Sequence, residues 1–150
     1  NKKSKNGYDF VQLEYAMGSA IRSFSNAQAM IVPRSRFFPV KKTSDLLLLL
    51  SDLTYFNDDG DLVWNTEKMI HIQCHPPFDT VDGFLEHVKV IPSLNRIHSL
   101  SLQGNVTFNH FVTLMGDVEF VIDNGVSVDL PETITQIENA KFYNGHLIPN

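Results

Sequence analysis

The 150 residues contain one cysteine, Cys74. No internal disulfide can form, so a reducing compartment is expected. Glycine is sparse: there are eight, and no two stand closer than nine residues apart. That spacing excludes the G-x-G, Walker and Rossmann loops, which use glycine so that backbone N–H groups can reach a phosphate. There is no G-x-S-x-G elbow and no Cys/His pair in a recognisable catalytic frame. Long apolar runs are missing too. The longest, Leu46 to Leu50, is far too short to span a bilayer. The opening "NKKSKNGYDF" has no apolar signal segment and no initiator Met. These features predict a soluble cytoplasmic protein whose sequence is a piece of a longer polypeptide. Without a complete active site, it is expected to supply one wall of a pocket.

Positive charge is scarce overall and concentrated where it occurs. The chain has 12 Lys and Arg against 17 Asp and Glu, a formal −5. Residues 1–45 carry eight of the cations and only three acids; residues 46–150 carry the other four cations and fourteen acids. Such asymmetry suggests a basic part facing an anion and an acidic part facing water or itself. Lys2, Lys3 and Lys5 read as a solvated tail. Arg34, Arg36, Lys41 and Lys42 do not, because "VPRSRFFPVKK" interleaves them with Val32, Phe37, Phe38 and Val40.

With 43% hydrophobic residues, the chain can bury a real core as one domain, or as a domain with an appendage. Phe10, Leu13, Met17, Ala20, Ile21 and Phe24 fall on one helical arc of roughly 100°, predicting an amphipathic helix over 10–27 with this stripe in the core. Pro33 and Pro39 then favour extended backbone, on which Arg34 and Arg36 share one side. A second helix is expected from "TSDLLLLLSDL", capped by Ser44 or Thr43, with Asp45 complementing its positive end. Its leucine run is too continuous for a surface helix and predicts burial nearly all round. "FNDDGDLVW" holds a turn at Asp59-Gly60; the glycine comes too soon, and no Glu closes the pattern, for a calcium loop. "MIHIQCH" alternates as a strand, with His71 and His75 on one face and Cys74 on the other, a poor claw for zinc. A short helix is expected at about 80–89, capped by Thr80.

From residue 98 the pattern changes. Leu100, Val106, Val112 and Val118 recur every six residues, and Leu102, Phe108, Leu114 and Phe120 follow two positions later. Six-residue periodicity marks a parallel β-helix with three short strands per coil, and the two interleaved sets point inward because strand side chains have period two. Val126, Val128 and Leu130 are expected to keep this inward parity. An antiparallel meander is the alternative. His98 and His110 are expected at corners of the coil.

"VQLEYAMGSAI" at 11–21, "VPRSRFFPVKKTSDLLLLLSDL" at 32–53, "IPSL" at 91–94 and "GNVTF" at 104–108 together resemble the C-terminal third of eukaryotic-type UTP–glucose-1-phosphate uridylyltransferases (UDP-glucose pyrophosphorylases). The likeness runs, with interruptions, from about residue 8 to "IEN" at 137–139. Lys42 stands where that family usually has a small residue. The resemblance implies a nucleotidyltransferase of carbohydrate metabolism, which converts UTP and glucose 1-phosphate to UDP-glucose and diphosphate with Mg2+. It implies that the glycine-rich nucleotide loop and the magnesium belong to an N-terminal catalytic half outside this sequence, so that this chain alone is inactive. The expected fold is mainly β with α, a helical and extended N-terminal segment followed by a left-handed parallel β-helix, the handedness being taken from the family. Residues 1–56 would end the catalytic domain, 57–97 connect, and 98–150 form the β-helix.

Lys41 aligns with a family lysine that projects toward the phosphates, and the resemblance makes it the catalytic candidate. A lysine offers a compact charge on a flexible stem, suited to a phosphate oxygen that moves during attack. The attacking group is itself a phosphate, so no general base is required. Arg34, Arg36 and Lys42 are the substrate-binding candidates; as bland alternatives, the arginines brace the backbone and Lys42 faces solvent. No metal ligand is assigned in this chain. Expected partners are UTP, glucose 1-phosphate, the N-terminal half and a second copy through the β-helix, with no nucleic acid and no membrane. Two other readings stand: a non-catalytic β-helix oligomerisation scaffold and, more distant, a hexapeptide-repeat acyltransferase.

Overall fold

The computed structural model describes residues 2–11 and 17–149, in two compact units, 1–33 and 34–150. In the first unit, Lys2–Lys5 (β1) and Tyr8–Val11 (β2) form an antiparallel hairpin. Asn6 and Gly7 join them with φ of +55° and +78°, the backbone that an Asn-Gly type I′ connection supplies. The three lysines therefore lie in a strand, where Lys3 is exposed to solvent as expected. The helix expected over 10–27 is not formed by the described residues. Phe10 and Val11 belong to β2, and Met17–Ser23 is a 3₁₀ helix that does not continue beyond Ser23. Leu13 and Gln12 lie outside the described residues. Ala20, Ile21 and Phe24, expected in a core stripe, are exposed. An amphipathic face is held helical chiefly by the surface that buries it, and this unit buries none of those three side chains.

The second unit opens with a 3₁₀ turn at Arg34–Arg36, closed by the Phe37 N–H donating to the Arg34 carbonyl at 3.0 Å. This corrects the extended reading of the motif. Pro33 restricts itself and the residue before it, leaving those that follow free to turn. Helix α1 spans Thr43–Leu50 with Lys42 as its N-cap, not Ser44 or Thr43, both of which are buried. Of the leucine run only Leu47 is fully buried; Leu46, Leu48 and Leu49 are half-buried and Leu50 is exposed. The run therefore has one core face instead of burial all round.

Thr54–Phe56 (β3) and Leu62–Trp64 (β4) pair as a hairpin, and Gly60, at φ +78°, makes the turn expected at Asp59-Gly60. Strand β5 is His71–Cys74, within the stretch predicted. Helix α2 is Val81–His87, and the Thr80 hydroxyl accepts the Gly83 N–H at 3.2 Å, the predicted cap.

Strands β6 (Ser93–Gln103), β7 (Asn105–Thr107), β8 (Thr113–Val121), β9 (Ser127–Asp129), β10 (Gln136–Tyr143) and β11 (His146–Pro149) complete the chain. The molecule is mainly β with few helices. Its sheets are mixed. In the five-stranded sheet, ordered β11-β10-β8-β6-β5, β5, β6, β8 and β10 run parallel and β11 closes the edge antiparallel to β10. A second parallel pair joins β7 to β9. Parallel pairing thus begins at His71, upstream of the residue where the six-residue count starts.

Between β6 and β8, Leu100 opposes Val118 and Leu102 opposes Phe120, a step of 18 residues or three sixes. All eight residues of the two interleaved sets are buried, none above 3% exposure. Phe120 sits between Phe108 and Phe142, with ring centroids 5.0 and 5.4 Å away, inside the range of favourable aromatic pairs. The next step, Val118 to Ala140 and Val106 to Val128, is 22 residues. The extra residues form the turn closed by the Val126 N–H on the Asp123 carbonyl at 3.1 Å. Val126 is accordingly exposed, against the parity expected of it, while Leu130 is buried and Val128 half-buried.

The long strands bend where their registers break: between Ile97 and Ser99 in β6, at Gly116 and Asp117 in β8, and at Asn139 in β10. Gly116 has φ +65°, and a Cβ there would collide with Asn139 Oδ1. That oxygen accepts the Asp117 N–H at 3.0 Å, lacing one bend to the next. His98 lies exposed at the β6 break, and the His110 ring bridges Asn109 Oδ1 and the Ile134 carbonyl, each at 2.9 Å.

Candidate functional site

The four cations of the motif do not converge. Arg34 borders an apolar hollow of about 680 Å³ floored by Leu48, Leu62 and Trp64, and its guanidinium lies 4.6 Å from the centroid of the Phe37 ring, a cation–π contact. Arg36 opens onto a hollow of about 380 Å³ beside Asp61 and Leu62. The 3₁₀ turn separates the two, because an extended strand is what would have put them on one side. Lys41 and Lys42 do share a hollow, of about 470 Å³, at the N-terminal end of α1.

Both lysines are exposed. The Asp45 carboxylate accepts their backbone N–H groups through one oxygen, at 2.9 Å for Lys41 and 3.0 Å for Lys42. Among the described residues the ion pair is Lys141 with Glu119 at 3.1 Å, and neither ammonium of the lysine pair is matched to a carboxylate. The helix end contributes its own positive potential. The site is therefore an exposed cationic rim over a hollow, with its backbone tied and its charged heads free.

The far wall comes from the end of β5 and the residues after it: Gln73, Cys74, His75 and Asp79. Sequence reasoning had placed His71, Cys74 and His75 on a strand without connecting them to the lysines. The link is tertiary, since α1 packs on β5, and no local pattern announces it. Burial pushes the Cys74 thiol above its ordinary range; the Thr43 hydroxyl opposes this, and the Asp79 and Asp45 carboxylates reinforce it. Cys74 thus stays a protonated thiol at neutral pH, a poor nucleophile. Among the described residues no three His, Cys, Asp or Glu side chains converge to hold a metal.

The fold is shared with a solved class of enzymes, the UDP-glucose pyrophosphorylases. The chain aligns with a mutant of the Leishmania major protein in complex with UDP-glucose at TM-score 0.70 and 30% identity, covering 95% of this chain and 32% of that one. It aligns with the Trypanosoma brucei UDP-glucose phosphorylase at TM-score 0.70 and 33% identity, with the same coverage. The family model described as UTP–glucose-1-phosphate uridylyltransferase matches residues 1–115, and the chain belongs to that family. The UTP–glucose-1-phosphate uridylyltransferase of Astragalus penduliflorus is 43% identical over 136 residues, 88% of this chain and 29% of that protein. The chain thus spans about three-tenths of the length of the curated relatives it matches.

Proposed function

We propose that the chain is the C-terminal third of a UTP–glucose-1-phosphate uridylyltransferase and that Lys41 meets the phosphates in the reaction of the whole enzyme. The observation that carries this reading is the pair of unmatched ammonium groups over the hollow at the positive end of α1, on a backbone held by Asp45. In the proposed reaction a phosphate oxygen of glucose 1-phosphate attacks the α-phosphorus of UTP, one P–O bond forms, and the bond to the departing diphosphate breaks. Such transfers are governed by positioning and by cations placed where charge develops. Lys41 supplies one such cation and Lys42 a second on the same rim. Arg34 and Arg36, assigned to substrate binding, face hollows of their own, so their contact requires ligand or the rest of the enzyme to reach those hollows. Magnesium, when bound, would neutralise nucleotide phosphate charge, and we assign its ligands to the N-terminal half.

Residues 1–56 would then end the catalytic domain, 57–97 connect and 98–150 form a left-handed β-helix, with parallel pairing reaching back to β5. The 18-residue step between β6 and β8 supports a three-sided coil; its left hand follows the family. Self-association through that coil and a cytoplasmic location complete the proposal. In the full-length enzyme, Lys41→Ala should slow UDP-glucose synthesis by several hundredfold, the loss of about 3–4 kcal/mol typical of removing a donor from a developing charge. In the same assay the isolated chain should show no turnover. A loss below about fivefold for the variant, or measurable turnover by the isolated chain, would overturn the reading.

A further inference from the structure

We propose that Asp45 is a positioning residue for Lys41, an inference that rests on the phosphate-contacting reading of that lysine. A helix usually takes its cap from a Ser, Thr, Asn or Asp, whose side chain accepts an orphan N–H. Here the N-cap is Lys42, in extended backbone at φ −134°, ψ 162°, and a lysine side chain has no acceptor to offer. Thr43 and Ser44 could have capped but are buried, at 5% and 9% exposure. Capping therefore falls to the third helical residue. The Asp45 carboxylate reaches back to the Lys42 N–H, the reciprocal half of a capping box. It then goes one residue further and takes the Lys41 N–H through the same oxygen.

That second bond has no role in closing the helix, because Lys41 precedes the cap. Its effect is to tie the Lys41 backbone to α1, which is itself packed on β5. A lysine stem has four rotatable bonds, and every degree of freedom at its root widens the volume its head explores. Fixing the root reduces the ordering that remains to be done when phosphate arrives. The carboxylate does this without neutralising the cation: it binds the backbone of Lys41 and Lys42 and pairs with neither ammonium.

The test uses the full-length enzyme with Asp45→Ala, Asp45→Asn, Lys41→Ala and the Lys41→Ala/Asp45→Ala double variant. Asp45→Ala should lower kcat about ten- to a hundredfold, the range of a small misplacement in a reacting array, with each KM changed less than about threefold. Asp45→Asn keeps an acceptor oxygen and should recover most of kcat. In the Lys41→Ala background, removing Asp45 should cost less than about twofold more, since the group it places is gone. Amide hydrogen exchange at Lys41 and Lys42 should accelerate about tenfold or more in Asp45→Ala and stay slow in Asp45→Asn. A large Lys41→Ala loss with an additive double variant, or Lys41 exchange unchanged by Asp45→Ala, overturns the positioning role alone. A Lys41→Ala loss under about fivefold overturns the reading of the lysine and the positioning role with it.

Discussion

Val112 and Val126 were indistinguishable on inward parity, and the structure separates them completely: Val112 is 0% exposed and Val126 36%. Placing the same aspartate at each site isolates the environment from the chemistry of the substitution. At Val112 the change forfeits the burial of a valine, about 1.5–3 kcal/mol, and brings a carboxylate into the buried apolar core cluster. An unpaired buried charge costs several kcal/mol more, even after relaxation. The sum, roughly 5 kcal/mol or above, rivals the whole stability of an ordinary domain. At Val126 the side chain already faces water on the Asp123–Val126 turn, and an aspartate there should stay within about 0.5 kcal/mol of neutral.

The assay is urea unfolding of the chain, followed by far-ultraviolet circular dichroism. Val126→Asp should leave the midpoint unchanged. Val112→Asp should abolish the folded baseline or bring the midpoint close to zero denaturant. Should that variant be recovered only in aggregates, Val112→Ala gives a graded version. It removes two methyl-sized groups, about 1.6 kcal/mol at 0.8 per buried carbon, plus a cavity term. Equal midpoints for the two aspartate variants, or a Val112→Ala loss below about 0.5 kcal/mol, would mean that the six-residue register does not describe the core.

Gly116→Ala should destabilise the same transition by about 1–3 kcal/mol, from left-handed strain and from displacing the Asn139 oxygen that holds the Asp117 N–H; an unchanged midpoint would refute the laced bend. The Tyr143 hydroxyl donates to Asp123 Oδ2 at 2.6 Å, which holds that carboxyl below its ordinary 3.8, with Asn144 assisting. A carboxyl lowered on folding stabilises above its unfolded value and loses that contribution as pH falls through the folded one. The melting temperature of the native chain should therefore exceed that of Tyr143→Phe at pH 7, with the gap closing as pH is lowered below about 3.8. Tyr143 is raised above its ordinary 10.0, chiefly by the same bond, so the gap should also close at alkaline pH as the phenol ionises. A gap independent of pH would refute the pairing.

The six-residue count was legible because the paired strands β6 and β8 repeat one inward geometry at an 18-residue step, so that local sequence and tertiary pairing obey one rule. It failed at Val126, where a turn lengthens the step from 18 to 22 residues and parity alone cannot see an insertion. Thr80 was legible as a cap because its hydroxyl acts within three residues. Lys42 was not, because its capping is done by a side chain reaching backward from Asp45. The helix over 10–27 was misread for a related reason: periodicity reports that one face is apolar, whereas the helix needs something to cover that face. The site was half legible. Lys41 and Lys42 stood out as cations among apolar residues, but their opposite wall, His75 and Asp79, comes through the packing of α1 on β5.

That packing joins the stability of the five-stranded sheet to the geometry of the lysines. Strand β5 is the edge of the parallel stack: His71 to Cys74 pair with Ser99 to Leu102, which pair in turn with Asp117 to Phe120. Its half-buried residues, Ile72 and Cys74, lie against the core and also border the lysine hollow. Helix α1 meets this strand on one side and carries Asp45 at its first turn. The step that fixes Leu100 over Val118 therefore also fixes, through β5 and α1, the point from which the Lys41 stem departs. Changes deep in the sheet that leave it folded should consequently reach the lysine rim only if they move β5. Those confined to β9 and β11, which do not pair with β5, should leave the rim in place.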